Sequence, residues 1–201
     1  MLQTVTTFYL IRHGDNDLVG KAIAGWTPGV HLNASGKAQA EHLADHLANA
    51  GIGRIYSSPL ERAQETAAPL AARLDVPVHI SESIGEVHFG EWTGQRFDAL
   101  ANDIRWRRWN AFRSGNRAPQ GETMLEVQTR FLTFLLKLAA EFPEEGAIAL
   151  FSHGDPIRTA LLFYLGMPLD FYQRIEISPA SVSILKLSNE SAQVVCLNRT
   201  W

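Results

Sequence analysis

Three predicted buried strands of the sequence each end in a polar, partly cationic turn. The turns are Arg12-His13-Gly14, Ser57-Ser58 followed by Arg62, and Ser152-His153-Gly154. Two guanidiniums and two imidazoles in one crevice would suit a compact dianion, because arginine binds phosphate oxygens with two parallel hydrogen bonds. Backbone N–H groups at the following glycines and helix starts, including Gly154, add to the attraction for an anion. The pattern predicts a phosphate-binding pocket.

A phosphate pocket becomes catalytic when it also holds a nucleophile. A neutral imidazole attacks phosphorus in line while nearby cations stabilise the charge on the equatorial oxygens. Water then hydrolyses the phosphohistidine. This chemistry predicts a metal-independent phosphohydrolase with His13 as nucleophile and with no cofactor.

The departing alkoxide needs a proton, and Glu86 is the favoured donor. It lies in the segment 85–91, where apolar neighbours are expected to raise the pKa of its carboxyl group. A protonated carboxyl group can protonate the leaving oxygen and then act as a base toward water. Three other carboxyls close in sequence are alternatives, namely Glu82, Glu91 and Asp98.

The elements that must position these residues alternate along the chain. Strand patterns cover residues 6–11, 54–56, 76–80 and 147–151, and the tail adds β-rich runs within 174–187 and at 194–197. Helix patterns follow at 34–50, from Ser58 to about residue 74, from Thr123, and from Asp155 to about residue 165. Ser58 and Thr123 each begin a capping-box pattern, and Asp155 is a candidate N-cap.

This order predicts an α/β fold. We expect a doubly wound, mostly parallel sheet with helices on both faces, antiparallel strands from the tail, and a ligand crevice at the carboxyl ends of the strands. The 201 residues, 46% hydrophobic and 19% charged, are expected to form a single domain, 1–201.

The composition and net charge limit the classes of partner that we expect this protein to bind. A net charge of -3 gives no global attraction to nucleic acid or to a membrane, so we expect a small-molecule phosphate ester as partner. The single cysteine excludes an internal disulfide, and neither a secretion signal nor a long apolar run is evident. These features favour a cytoplasmic location. A homodimer is compatible with the sequence.

The segment 95–120 is rich in tryptophan and arginine and has weak periodicity, which predicts an irregular, partly helical lid that determines specificity. The run Trp106 to Trp109, with Arg113 and Arg117, resembles a nucleic-acid patch, yet this acidic chain lacks the broad positive surface that such patches need. Our hypothesis is that Arg107 and Arg108 select the leaving group.

The motifs also carry a family resemblance that runs through nearly the whole chain. They are Leu10-Ile11-Arg12-His13-Gly14, Leu32-Asn33-Ala34-Ser35-Gly36 with Gln39-Ala40, the run from Ser57 to Ala67, the segment 86–94, Gly121-Glu122-Thr123 and Ser152-His153-Gly154. The chain resembles the histidine phosphatase superfamily, which includes cofactor-dependent phosphoglycerate mutases and many small phosphatases. The resemblance implies a phosphoglycerate mutase-like fold, phosphorylation of His13, a phosphoryl site made by Arg12, Arg62 and His153, and Glu86 as proton donor.

Two departures from the family pattern affect the substrate site. Val19 occupies a position where the family often has a phosphate-contacting asparagine, and Asn16 is the candidate substitute. The mutases usually carry Thr-Gly where this chain has Ala24-Gly25, and they have a longer middle insertion. We expect Asn16, Gly25 and Gly154 to contact substrate, and we favour a phosphatase over a mutase.

Other interpretations stay open at this point. A mutase would pass the phosphoryl group to a sugar-acid hydroxyl instead of water. A metallohydrolase is disfavoured because no His-Glu-x-x-His pattern occurs. A non-catalytic phosphate-binding module would retain the pocket without turnover. His31 and His88 either add to the pocket or bond to loop backbone. The sequence does not name the physiological substrate.

Overall fold

The structure is a computed structural model, and it describes residues 5–142 and 146–201. The strands are β1 Thr6–Arg12, β2 Ile52–Ser57, β3 Val78–Ile80, β4 Ala147–Ser152, β5 Val182–Leu187 and β6 Ala192–Arg199. They form a six-stranded sheet in the order β3-β2-β4-β1-β5-β6. The first four strands of that order are parallel, and β5 and β6 are antiparallel additions beside β1. The predicted mostly parallel sheet with an antiparallel tail is confirmed.

Helices cover both faces of the sheet, as predicted. They are α1 Ala34–Leu47, α2 Glu61–Leu74, α3 Phe97–Leu100, α4 Ile104–Ala111, α5 Met124–Glu141 and α6 Gly154–Tyr164, with 3-10 helices at Glu82–Ile84, Gly90–Trp92 and Leu169–Arg174. Because neighbouring strand residues point to opposite faces, Leu150 packs with α5 and α6 whereas Phe151 packs with α1 and α2. The central strand β4 is buried throughout.

Two predicted helix starts are wrong. The helix α2 begins at Glu61 after the cap residue Leu60, so Ser58 is not its N-cap. The Ser58 hydroxyl instead lies 2.8 Å from Nε2 of His153. The helix α6 begins at Gly154, which puts Asp155 inside the first turn, where its carboxylate pairs with arginines. Each side chain has a distant partner, His153 for Ser58 and Arg113 for Asp155, although the Ser58 hydroxyl also accepts from the Leu60 amide at 3.3 Å. The capping box of Thr123 and Glu126 is confirmed.

The tail and the segment 95–120 refine the prediction. Residues from 174 to 181 form no strand, since a 3-10 helix ends at Arg174 and β5 begins only at Val182. The segment 95–120 is irregular and partly helical as predicted, and it contributes the buried side chains of Leu100, Trp109 and Ala118 to a third apolar cluster. Among the described residues, no helix has both the length and the apolar character that crossing a bilayer requires.

Candidate active site

The parallel strands bring the three polar strand ends to one edge of the sheet. Arg12 is paired in register with Ser152, and Ser57 with Phe151. The chain stays paired just beyond the strands, because the His13 amide donates to the Ser152 carbonyl at 2.9 Å. A cavity of about 410 Å³ opens here, lined by Arg12, His13, Arg62, Glu86 and Gly154 among others. The predicted convergence of these residues is present.

His13 is buried, and one of its two ring nitrogens is in a hydrogen bond with the backbone. Its Nδ1 lies 2.7 Å from the Gly14 carbonyl oxygen, which can only accept, so Nδ1 carries the proton and Nε2 keeps its lone pair. Burial, and then the positive charges of Arg62 and Arg12, hold the pKa of His13 well below its usual 6.5. The ring is therefore neutral near pH 7, which is the form that a nucleophile requires.

The turn after His13 is held by close backbone packing, which explains the motif around residues 32–40. A Cβ atom on Gly14 would lie 2.7 Å from the Gly36 carbonyl oxygen, so a larger residue does not fit without a shift. The Gly14 amide donates to the Thr66 hydroxyl at 2.9 Å. The Asp15 amide donates to the side chain of Gln39 at 2.8 Å. The start of α1 therefore supports the position of His13.

Arg12 and Arg62 each use one N–H to anchor themselves and leave others without a partner. Nη1 of Arg12 donates to the Ile177 carbonyl at 2.6 Å, and Nη2 of Arg62 donates to the Gly25 carbonyl at 2.8 Å. Nε of Arg12 and both Nε and Nη1 of Arg62 are buried without a hydrogen-bond partner. Burial lowers the pKa of both arginines, and the charge of Glu86 opposes that effect. Buried unpaired donors are costly, so an anion in this cavity would stabilise them.

His153 is fully buried beside His13, with ring centroids 5.2 Å apart. Its Nδ1 has no hydrogen-bond partner and lies 3.9 Å from a carboxylate oxygen of Glu86. Burial and the charge of Arg62 lower its pKa well below 6.5. His153 is not among the residues that line the cavity, and it contacts the site through His13 and Glu86.

Glu86 lies in the cavity with an unusual acidity. Burial, together with the negative charge of Asp155, raises its pKa to about 7, against the lowering effect of Arg62 and Arg12. Its Oε1 accepts from the Val87 amide at 2.9 Å. The alternative carboxyls Glu82, Glu91 and Asp98 are exposed and do not line the cavity. The structure thus favours Glu86 among the four.

Two residues that the sequence did not single out hold the Glu86 backbone. Nε1 of Trp26 donates to the Glu86 carbonyl at 2.6 Å, and Nη2 of Arg130 donates to the same oxygen at 2.9 Å. Arg130 also bonds to the Ser83 and Gly85 carbonyls and pairs with Glu122 at 2.9 Å. The Gly-Glu-Thr motif at 121–123 was the available signal, because Glu122 orients Arg130.

The expected substrate contacts Asn16, Gly25 and Gly154 all line the cavity. Oδ1 of Asn16 accepts from the Leu18 amide at 3.0 Å, which leaves the amide NH₂ end for a ligand. Gly25 has a φ of +50°, a conformation that side chains disfavour. Val19 and Ala24 also line the cavity and contribute apolar surface there.

A second wall of the cavity comes from the segment 95–120, which was expected to form a lid, and from residues beyond β4 that the sequence did not single out. The segment 95–120 supplies Phe97, Trp106, Asn110 and Arg113, and the region beyond β4 adds Arg158, Tyr172 and Glu176. Arg107 and Arg108 are exposed and lie outside the cavity, which removes the support for our hypothesis that they select the leaving group.

Two further histidines lie away from the cavity. His31 is exposed and pairs with Glu65, and His88 is exposed and stacks on Trp26. Neither lines the cavity. Within residues 5–142 and 146–201, no three His, Cys, Asp or Glu side chains are grouped so that they could hold a metal ion.

Comparison with known proteins places this geometry in a family. An uncharacterised protein of Mycobacterium tuberculosis H37Rv is 34% identical over 168 residues, which cover 82% of this chain and 81% of that protein. A 2,3-bisphosphoglycerate-dependent phosphoglycerate mutase of Thermoplasma acidophilum is 29% identical over 88% of this chain and 84% of its own length.

The fold also matches solved structures. Phosphoserine phosphatase of Entamoeba histolytica, in complex with 3-phosphoglyceric acid, superposes with a TM-score of 0.85 at 28% identity, over 97% of this chain and 98% of that one. The model of the histidine phosphatase superfamily (branch 1) matches residues 8–200. The chain therefore belongs to branch 1 of the histidine phosphatase superfamily.

Proposed function

We propose that this protein is a phosphomonoester hydrolase that acts on a small phosphorylated metabolite through a phosphohistidine at His13. The observation that carries the proposal is that only one ring nitrogen of His13, Nδ1, makes a hydrogen bond within the described part of the protein. Because Nδ1 donates to the Gly14 carbonyl, the Nε2 lone pair is available beside arginine donors that have no protein partner. Nucleophile and anion donors are thus prepared before substrate arrives.

In the first step, Nε2 of His13 attacks phosphorus and the ester P–O bond breaks. Arg12 and Arg62 stabilise the charge on the equatorial oxygens with their free N–H groups. Glu86, with a pKa of about 7, is protonated in part of the molecules at neutral pH and gives its proton to the leaving oxygen. The alcohol departs and phospho-His13 remains.

In the second step, water attacks the phosphohistidine and the P–N bond breaks. Glu86 is now a carboxylate and accepts a proton from the attacking water, so one group serves as acid and then as base. Inorganic phosphate is released, and Nε2 of His13 regains its lone pair. His153 does not line the cavity, so we propose that it acts through its neighbours: its ring lies beside His13, and its Nδ1 lies 3.9 Å from the Glu86 carboxylate.

The second candidate is a mutase, and the similarity to a phosphoglycerate mutase favours testing it. The mutases usually carry a threonine where this chain has Ala24, and Ala24 and Val19 give that part of the cavity apolar surface. We therefore propose transfer to water, with the segment 95–120 as the lid. Incubation with 3-phosphoglycerate and a trace of 2,3-bisphosphoglycerate separates the two. Phosphate release supports the hydrolase, and interconversion of 2- and 3-phosphoglycerate without release contradicts it.

Substitution of the nucleophile tests the covalent step. We expect His13→Ala to abolish both hydrolysis of p-nitrophenyl phosphate and incorporation of acid-labile phosphate, because no other histidine lines the cavity among the described residues. The control is His31→Ala, an exposed histidine outside the cavity. Hydrolysis that survives in His13→Ala would contradict the assignment.

A further inference from the structure

The cavity contains a second pair of arginines that the phosphoryl chemistry above does not use. Arg113 and Arg158 both line it and both lie over the ring of Tyr172, with Cζ to centroid distances of 3.7 and 4.2 Å. The ring of Trp109 lies 3.9 Å from Cζ of Arg113. Contact with aromatic rings stabilises a guanidinium and restricts its orientation. These arginines are therefore held in place without a ligand.

This cluster contains several buried donors that no protein atom satisfies. They are Nε and Nη1 of Arg113, Nε of Arg158 and the hydroxyl of Tyr172. Arg113 is 6% exposed and Tyr172 4% exposed. Because a buried donor without an acceptor costs free energy, the cluster is best explained by an acceptor that arrives from the cavity.

The charge balance indicates that the acceptor is an anion. The carboxylate of Asp155 is shared, at 3.5 Å from Nη1 of Arg113 and 3.8 Å from Nη1 of Arg158. Both distances are longer than a direct hydrogen bond. Glu176 lies 3.8 Å from Arg158 but its side chain is 69% exposed, so solvent weakens that pair. One positive charge of the two arginines is left without close compensation.

We propose that Arg113, Arg158 and Tyr172 form a second anion subsite for a carboxylate or second phosphoryl group on the alcohol part of the substrate. The inference rests on the proposed function, since it assumes that the phosphoryl group lies at His13. It narrows the substrate class to phosphomonoesters with two anionic groups. Specificity then resides in Arg113 rather than in the exposed Arg107 and Arg108.

Matched substrate pairs test the subsite. The carboxylate pairs are 3-phosphoglycerate with glycerol 3-phosphate and phosphoserine with phosphoethanolamine, and the phosphoryl pair is fructose 1,6-bisphosphate with fructose 6-phosphate. We expect the wild type to favour the acidic member of at least one pair by tenfold or more in kcat/KM. If the carboxylate pairs show this preference, the subsite binds a carboxylate. If the phosphoryl pair shows it, the subsite binds a second phosphoryl group. Equal kcat/KM within all three pairs would overturn the proposal.

Variants locate the effect. Tyr172→Phe keeps the ring between the arginines and removes only the hydroxyl, so we expect the ratio within the favoured pair to fall about tenfold, as for loss of one hydrogen bond to a charged group. Arg158→Gln should lower the ratio further. Arg107→Gln, outside the cavity, is the matched control and should leave the ratio unchanged. A ratio that persists in both Tyr172→Phe and Arg158→Gln would reject the subsite.

Binding separates this inference from the hydrolase proposal. Calorimetric titration of His13→Ala with 3-phosphoglycerate, glycerol 3-phosphate and the two fructose phosphates measures discrimination without turnover. Tighter binding of an acidic member, with no hydrolysis by the wild type, would reject the hydrolase and retain the subsite. Rapid hydrolysis by the wild type, with equal binding of all four compounds by His13→Ala, would retain the hydrolase and reject the subsite. Thermal unfolding of each variant confirms that it is folded.

Discussion

The two walls of the cavity are built in different ways. The strand-end wall, formed by Arg12, His13 and Arg62, is attached to main-chain groups such as the carbonyls of Ile177, Gly14 and Gly25. The helical wall, formed by Trp106, Arg113 and Tyr172, is held through side chains. Arg113 bonds to the side chain of Asn110 at 2.7 Å and contacts the rings of Trp109 and Tyr172.

This difference suggests that the strand-end wall serves catalysis and that the helical wall serves substrate recognition. Main-chain anchors tolerate little displacement, which suits groups that must meet phosphorus at a fixed distance. Side-chain anchors can change by substitution without moving the sheet, which suits the recognition of a variable alcohol. We therefore expect substitutions in the strand-end wall to affect every substrate and those in the helical wall to affect selectivity.

Among substitutions that keep the nucleophile His13, the largest expected effect is at Arg62. Arg62→Lys removes the two partnerless N–H groups and the anchor to Gly25, and an ammonium cannot replace this planar set of donors. We expect kcat/KM to fall about a thousandfold, corresponding to about 4 kcal/mol, for all phosphomonoesters. Steady-state kinetics on several esters measures this. Arg107→Lys is the exposed control, and a selective loss for only some esters would contradict the division.

The second effect is at Glu86. For alkyl phosphates we expect Glu86→Gln to lower kcat about a hundredfold, because the alkoxide leaves without a proton. The loss should be much smaller for p-nitrophenyl phosphate, whose phenolate leaves unaided. In the wild type, kcat/KM for alkyl phosphates should fall as pH rises above about 7, where Glu86 ionises, and this limb should disappear in the variant. Glu82→Gln is the exposed control, and equal losses for both ester types would contradict the role as acid.

The raised pKa of Glu86 also has a consequence for stability. The pKa of the Glu86 carboxyl is 4.5 in the unfolded chain and about 7 in the folded protein, so the folded state binds more protons between these values. Stability therefore falls as pH rises through this window, by about 3 kcal/mol for this group. Glu86→Gln should remove that fall, so that urea unfolding shows a gain over wild type at pH 8 and less gain at pH 4.5. A gain independent of pH would contradict it.

The smallest effect on catalysis is expected in the helical wall. Trp109 is 1% exposed and packs beneath Arg113 without lining the cavity. Trp109→Leu should cost about 2 to 4 kcal/mol of unfolding free energy through lost packing. Turnover of p-nitrophenyl phosphate should change only a few-fold, because the strand-end wall stays attached to the sheet. Denaturant unfolding and kinetics check both parts, and a loss of turnover as large as that of Arg62→Lys would erase the distinction between the walls.

Much of the fold and of the strand-end wall was predictable from sequence. Alternating strand and helix patterns determine a mostly parallel sheet, and parallel strands must bring Arg12, His13 and His153 to one edge. The cytoplasmic location, the single domain, the dimer and the roles of the site residues stay predictions. Helix starts at Ser58 and Asp155 were wrong, because distant residues, His153 and Arg113, compete with local capping for those side chains.

The sequence alone was enough to choose four site residues, because each lies in a local motif that indicates its chemistry. They are Arg12, His13, Arg62 and Glu86. Only the tertiary structure decided which ring nitrogen of His13 is free, why the pKa of Glu86 is near 7, and that Arg113 rather than Arg107 enters the cavity. The physical reason is that burial, tautomer and aromatic contact depend on neighbours far away in the chain. Those neighbours meet only when the sheet and its helices have packed.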